Sequence, residues 1–302
     1  MDTQSNNCIV LLGPTASGKT ELGVRLAALL NGEVISADSR QVYRGLDIGA
    51  GKDLDAYTGD GHSIPYHLID VADLHTEYSV FHYQQAFYPV FEDIRRRGRL
   101  PVIVGGTGLY LNAVLCGYAM RPTPENSELR KELMRLDDKQ LLATLQKTRG
   151  QLHNITDTKD RDRLIRAIEI AEYAREHPPP PCPKVSPRIL GIAFPPELLR
   201  KRIAARLRER LEAGLIEEVA GLHAAGYSWE RLESLGLEYR YVAAYLQGKT
   251  TNKNDLFQKL NSAIAQFAKR QRTWFRGMER KGFIIHWLPD NELTTALDAL
   301  KE

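Results

Sequence analysis

The eight residues GPTASGKT, Gly13 to Thr20, constrain this chain more than any other stretch. They meet the spacing G-x-x-x-x-G-K-[ST] through Gly13, Gly18, Lys19 and Thr20. The apolar run CIVLLGP before them reads as a buried strand. The run SGKTELGVRLAALLNG after them has helical spacing, with a stop expected at Gly32. Strand, glycine-rich turn and helix together make a phosphate cradle. Backbone N–H groups point at phosphate oxygens, and the helix N-terminus adds partial positive charge. The expected diphosphate or nucleotide site is therefore Gly13, Pro14, Thr15, Ala16, Ser17, Gly18, Lys19 and Thr20. Lys19 is expected on terminal phosphate oxygens and the Thr20 hydroxyl on Mg²⁺.

Further strand and helix signals alternate. EVISAD reads as a second strand ending in Asp38, and LPVIVGG as a third. Between them, SVFHYQQAFYPVFEDIRRRG reads as a helix closed by Gly98, with a bend expected at Pro89. TGLYLNAVLC begins another helix, RILGIAF resumes the sheet, and FIIHWLP is a candidate last strand. This alternation predicts an α/β fold, a P-loop NTPase-like core whose parallel sheet is flanked by helices. After about Arg121 the pattern turns charged and helical, and PPPPCP, Pro178 to Pro183, reads as a stiff connector. An all-helical insertion is therefore expected over 119–186, inside a core formed by 1–118 and 187–302.

A nucleotide-hydrolysing P-loop protein usually carries a second core strand ending in an acid. Here LPVIVGG ends in Gly105 and Gly106. Asp38 does end a strand, followed by Ser39, Arg40, Gln41, Tyr43 and Arg44. That mixture suits a base edge, an ordinary Asp-Ser turn or the acceptor site of a small-molecule kinase using ATP. Nineteen Lys and Arg against ten Asp and Glu lie between Lys184 and Lys281, in a chain of net charge +3. The surplus fits a polyanionic partner and equally a set of solvated helix faces. In AQFAKRQRTWFRG, Lys269, Arg272 and Arg276 share one helix face, while Phe267 and Trp274 are candidates for the core. The three cysteines, Cys8, Cys116 and Cys182, have no metal-like or disulfide-framework spacing. With no signal-peptide pattern and no membrane-length apolar run, the cytoplasm is the expected compartment.

These strings together resemble one family, the tRNA dimethylallyltransferases, also called isopentenyl-tRNA transferases. The resemblance is carried in order by GPTASGKTELGVRLA, ISADSRQVYRGLDIG, PYHLID, SVFHYQQAF, LPVIVGGTGLYLNAV, DRLIRAIEI, RIAARLRERLEAGLIEEV and FAKRQRTWFR. It implies transfer of a dimethylallyl group from dimethylallyl diphosphate to N6 of the adenosine just 3′ of the anticodon. The implied partner is the anticodon stem-loop of a tRNA, the implied cofactor Mg²⁺, and the enzyme is expected to be a monomer. Asp38 matches the family's general base, and Thr107 the position that contacts the target nucleotide; with Lys19 they form the implied catalytic set. The resemblance assigns tRNA contacts to Asp38, Ser39, Arg40, Gln41 and Thr107, and to Asp162, Arg163, Leu164, Ile165 and Arg166. Lys269 and Arg270 are further candidates for phosphate contacts. The absence of a strand-end acid then has a reason, since no γ-phosphate is transferred. The chain departs from the family at LHNITDTKDRDRLIRAIE, with Asp162 in place of Gln. The usual Ile-Gly-Tyr-Lys-Glu segment appears as LGLEYR, keeping only Gly236, and Ile264 and Ala265 replace Thr-Arg.

Overall fold

The computed structural model describes residues 6–59, 63–149, 160–178 and 180–301. The polar first residues, most of the divergent LHNITDTKD stretch and position 179 of the proline run fall outside the described residues.

Six parallel strands form one sheet in the order β3-β2-β4-β1-β5-β6. They are β1 (Cys8–Leu12), β2 (Gly32–Ser36), β3 (Tyr66–His67), β4 (Leu100–Gly105), β5 (Pro187–Ile192) and β6 (Ile285–Leu288). β1 is central, and all five of its residues are buried, as expected of an apolar run covered on both faces. Leu12 stands opposite Gly105 on one side and Gly191 on the other. The carboxyl ends of β1, β4 and β5 thus open at one level, where open α/β sheets hold their ligands.

Helices α1 (Lys19–Leu29), α2 (Val80–Arg96) and α3 (Gly108–Leu115) connect the first strands. The end of α1 differs from expectation. Leu30 closes the helix, Asn31 turns at φ 51°, and Gly32 already begins β2. Asn is among the residues that enter the left-handed region readily, so the glycine was not needed as the stop. Helix α2 starts from a capping box between Ser79 and His82 and runs through Pro89 as one element. The two-residue strand β3 carried too little periodicity to be expected from sequence.

After β5 come α7 (Pro196–Glu212), α8 (Leu215–Ala224), α9 (Trp229–Ser234), α10 (Leu237–Leu246), α11 (Lys253–Arg280) and, beyond β6, α12 (Leu293–Lys301). In α11 the aromatic side chains sort differently from expectation. Phe275 is fully buried, Trp274 half-buried and Phe267 38% exposed. Phe275 joins Leu256, Leu260, Ala268 and Met278 on the buried face, while Phe267 falls off it.

The chain divides into two compact units. One takes residues up to Gly117 and from Pro183 onward, and the other is Tyr118–Cys182. The second unit contains α4 (Ser127–Leu133), α5 (Asp138–Arg149) and α6 (Arg161–Glu176). Its core is Leu133, Leu141, Leu145, Leu164, Ile165, Ala167, Ile168 and Ala171. The buried Glu169 ties it together. Its carboxylate accepts from Arg130 Nε and Nη2, both at 3.0 Å, from Arg166 Nη1 at 3.2 Å and from the Asn126 N–H at 3.0 Å. Four donors compensate the burial of that charge.

Candidate active site

The phosphate loop joins β1 to α1, and its backbone takes the shape a cradle requires. Ala16 and Gly18 have φ of 61° and 80°. Gly13 is tight, because a Cβ there would lie 2.7 Å from Ser17 Oγ, which folds back beneath it. That hydroxyl is buried with no hydrogen-bond partner among the described residues. A buried hydroxyl left unpartnered inside a phosphate loop fits a contact to a phosphate or its metal ion.

Two helices distant in sequence hold the loop. Gln271 on α11 accepts from the Thr15 N–H at 2.9 Å and donates to Gly106 O at 2.9 Å. It thereby clamps the phosphate loop to the loop that follows β4. Arg202 on α7 donates to Ala16 O at 2.9 Å.

The glycines after β4 are explained by crowding. A Cβ at Gly105 would overlap the Ala37 carbonyl, one at Gly106 would strike Gln271, and one at Gly108 would enter the Trp274 ring. An acidic side chain has no room at this strand end. The loops after β1, β2 and β4 close on one another instead.

The expected reactive residues sit where these loops meet. Asp38 lies two residues beyond β2 and accepts from the Arg40 N–H at 2.9 Å. That bond turns the chain and fixes one carboxylate oxygen. Thr107 Oγ1 accepts from the Ser39 N–H at 3.0 Å and stands 3.4 Å from Ser39 Oγ. The Thr107 N–H in turn donates to Ala37 O at 3.1 Å. Thr107 therefore spends its hydroxyl across the site rather than on capping α3. Asp38, Ser39, Arg40 and Thr107 are all half-buried.

Lys19 feels this site strongly. Burial lowers its pKa to about 8, partly opposed by the Asp38 carboxylate and reinforced by the Arg206 guanidinium. Arg206 is itself pushed down, by burial first and by Arg210 second. Residues 202, 206 and 210 lie on one face of α7. Arg206 pairs with Asp53, and Arg210 reaches Gly49 O at 3.2 Å. In the sequence these arginines stand within a general basic surplus. The spacing of four between the three arginines was the signal that a single cationic face was being built.

Other expected contacts are placed differently from one another. Gln41 is buried, with its amide donating to Gly51 O at 3.0 Å and accepting from Ser36 Oγ at 2.8 Å. Tyr43 is also buried, its hydroxyl accepting from the Tyr78 N–H. Both hold the loop after β2, so the base-edge mixture reduces to Asp38, Ser39, Arg40 and the exposed Arg44. In the second unit, Leu164 and Ile165 point into its core, and Arg166 serves Glu169 and the Thr123 and Pro124 carbonyls. Asp162 and Arg163 are exposed at the start of α6. On α11, Lys269 and Arg270 are exposed, Arg270 lying 5.8 Å over the Phe267 ring. Lys269 lines a cleft of about 350 Å³ with Arg200, Arg272 and Arg276, floored by Leu199, Ile203 and Ala268.

Among the described residues no group of three or more His, Cys, Asp or Glu side chains could hold a metal ion. None of their helices is long and apolar enough to cross a membrane.

Comparison with known proteins identifies the chain's relatives. The family model described as IPP transferase matches residues 41–278, and the one described as isopentenyl transferase matches residues 6–63. The chain is 56% identical over 284 residues to tRNA dimethylallyltransferase 1 of Geotalea uraniireducens, covering 94% of this chain and 93% of the relative. It is 52% identical to tRNA dimethylallyltransferase 1 of Syntrophus aciditrophicus, over 98% and 97% of the two chains. Among solved structures it resembles the tRNA isopentenylpyrophosphate transferase of Bacillus halodurans, with 32% identity and TM-score 0.67. The match covers 94% of this chain and 90% of that one. It also resembles a eukaryotic dimethylallyltransferase captured acting on tRNA, with 26% identity and TM-score 0.71. That match covers 89% of this chain and 70% of the other.

Proposed function

The chain belongs to the IPP transferase family, that of the tRNA dimethylallyltransferases, and on that premise we propose how its residues divide the work of moving a prenyl group onto tRNA. The donor is dimethylallyl diphosphate, and the acceptor is N6 of the adenosine 3′ of the anticodon. The kinase alternative finds no support, because β4 ends in glycines with no space for the acid it would use.

One observation carries the reading. The phosphate loop after β1 and the Asp38 carboxylate after β2 both stand at the carboxyl end of the sheet, with Lys19 and Arg202 at the loop, Arg206 one turn along α7, and Thr107 tied to Ser39 next to Asp38. The loop, Lys19 and Arg206 bind the diphosphate of the donor. As the C1–O bond breaks, negative charge grows on the leaving group, and cations already in place stabilise it without rearrangement. The adenine amine has its lone pair delocalised into the ring and is a weak nucleophile. Asp38 orients that amine and accepts its proton as the C–N bond forms. Its second oxygen is the one for this task, since the first is spent on Arg40. Thr107 sets the height of the site by tying the loop after β4 to Ser39. The adenosine leaves the anticodon-loop stack to reach Asp38.

The donor set fits Mg²⁺. The ion keeps several waters and takes few protein ligands besides phosphate oxygens. Thr20, in the first turn of α1, would supply the hydroxyl, and the unpartnered Ser17 Oγ lies in the same loop. When bound, the ion neutralises charge on the departing diphosphate.

In the larger unit, Ser39 and Arg40 beside the site and Lys269 and Arg270 on α11 contact RNA; in the helical unit, taken by itself, Asp162 and Arg163 at the start of α6 do so. The working form is a cytoplasmic monomer in which Cys8, Cys116 and Cys182, all free, stay reduced.

Nucleoside mass spectrometry tests the assignment. Unmodified tRNA, incubated with the protein, Mg²⁺ and dimethylallyl diphosphate, should yield N6-prenylated adenosine in the anticodon-loop fragment. No prenylated nucleoside, or one located elsewhere, overturns it.

A further inference from the structure

Arg210 closes the cationic row on α7, one turn beyond Arg206. Its side chain is only 13% exposed. Both of its hydrogen bonds leave from one atom: Nη1 donates to Gly49 O at 3.2 Å and to Glu238 Oε1 at 3.4 Å. Guanidinium has five donors in a planar fork. The Nε and Nη2 side of this one makes no hydrogen bond among the described residues.

That free side has a defined direction. Gly51 turns at φ 59°, and a Cβ there would overlap Arg210 Nη2 and lie 2.8 Å from Arg206 Nη2. Two guanidinium groups therefore converge over one glycine that leaves them room. Like charges brought together this closely repel, and an anion between them relieves the repulsion. The Asp53 carboxylate is taken by Arg206 and sits at its own Nη2.

The wall behind Arg210 is built to hold it. Glu218 on α8 accepts from the Asp47, Ile48 and Gly49 N–H groups at 3.0, 2.6 and 3.1 Å, and from the Tyr239 hydroxyl at 2.8 Å. This pins the loop whose Gly49 carbonyl receives Arg210. Glu238 approaches from the first turn of α10, two residues after Gly236, where the resembled Ile-Gly-Tyr-Lys-Glu pattern has a lysine. A carboxylate here, opposite an arginine on α7, keeps one cation at this wall and moves it to the other helix.

We propose that Arg210 is a third diphosphate-binding cation of the donor pocket, acting through its free Nη2 side, and that Glu238 is the residue that positions it. The inference rests on the prenyl-transfer reading above and adds a residue to its donor site. The diphosphate, rather than an RNA phosphate, is the ligand because Arg210 stands on the face of α7 that carries Arg202, which donates to the phosphate loop at Ala16 O, and its guanidinium converges with that of Arg206 over Gly51.

Calorimetry with inorganic diphosphate and Mg²⁺, followed by steady-state kinetics on the full chain, tests this. Arg210→Met should weaken diphosphate binding about tenfold or more and raise the donor KM to match, with the tRNA KM unchanged. Arg210→Lys, which keeps the charge without the fork, should fall between the two and guards against a folding defect in the methionine variant. Glu238→Gln should raise the donor KM several-fold in the wild-type background and do nothing further in Arg210→Met. Wild-type diphosphate affinity in folded Arg210→Met, or a change confined to the tRNA KM, overturns the assignment. Additive effects of the two substitutions overturn the positioning role of Glu238. Should the wild type bind diphosphate yet prenylate no tRNA, the function above fails while the binding data still decide on Arg210.

Discussion

At the amino end of the sheet, Glu33 on β2 is buried among Arg97, Arg99 and His67; at the carboxyl end, Lys19 is half-buried near Arg206, Arg210 and Asp38. Hydrogen bonds from Arg97, one of them 2.8 Å from Nη2 to Oε2, outweigh burial and hold the Glu33 carboxyl down at about 2. His67 Nε2 adds a contact at 2.7 Å. At the other end burial wins, and Lys19 falls to about 8. One end satisfies its charge from within the protein and the other leaves positive charge undercompensated. A site held in that condition binds an anion by completing its own electrostatics, which is the requirement for holding a diphosphate as it departs.

The largest effect is expected at the carboxylate near these cations. Asp38→Ala should lower kcat by about 10²–10⁴-fold while tRNA binding stays largely intact. Near wild-type turnover in single-turnover quench experiments would remove Asp38 as the base. Next in size is Arg206→Ala, which deletes a cation without touching the loop. Its kcat/KM for the donor should drop about 10²-fold, and the loss should appear as weaker diphosphate binding in calorimetry.

Gln271→Ala sharpens the comparison by loosening the loop while leaving every charge in place. A rise in donor KM of about 3–10-fold is expected, consistent with loss of roughly one or two hydrogen bonds. An effect as large as that of Arg206→Ala would mean that loop shape, more than charge, does the binding.

The smallest effect belongs to the amino end. Glu33 has its folded pKa depressed below the ordinary 4.5, so its stabilising contribution is complete above pH 4.5 and lost as the pH falls through about 2. Glu33→Gln should cost about 1–2 kcal/mol of stability near neutral pH, a modest figure because Arg97 is 41% exposed and screened by solvent. The variant's melting temperature should also change less than that of the wild type on acidification, with donor KM unaffected. A changed donor KM would show that the two ends are not independent.

Local signals made part of the candidate site legible. Gly13–Thr20 needed only its spacing and flanks, whereas Asp38 stood at a strand end with several readings open, and Thr107 came only from the family resemblance. What sequence reading missed depended on residues brought together across the fold. Gln271 meets Thr15 from 256 positions away, so no window contains the clamp. Arg202, Arg206 and Arg210 were visible as a charge surplus, but only the packing of α7 against the phosphate loop shows which face matters. Burial also redistributed expected contacts. Gln41 and Tyr43 look like recognition residues in a string, yet their polar groups are engaged in holding the loop after β2. The hydrophobic periodicity of α6 placed Leu164 and Ile165 in a core, although the resemblance assigned that whole stretch to RNA. β3, with two residues, was too short to announce itself.

The central claim is that the carboxyl end of the sheet keeps its positive charge for a diphosphate that leaves. Its most direct test is the stoichiometry of products in a single reaction containing Mg²⁺, dimethylallyl diphosphate and unmodified tRNA. One diphosphate released for each N6-prenylated adenosine formed is the expected result, with no orthophosphate appearing when ATP replaces the donor. Diphosphate released without prenylated adenosine, or phosphoryl transfer from ATP, would contradict it.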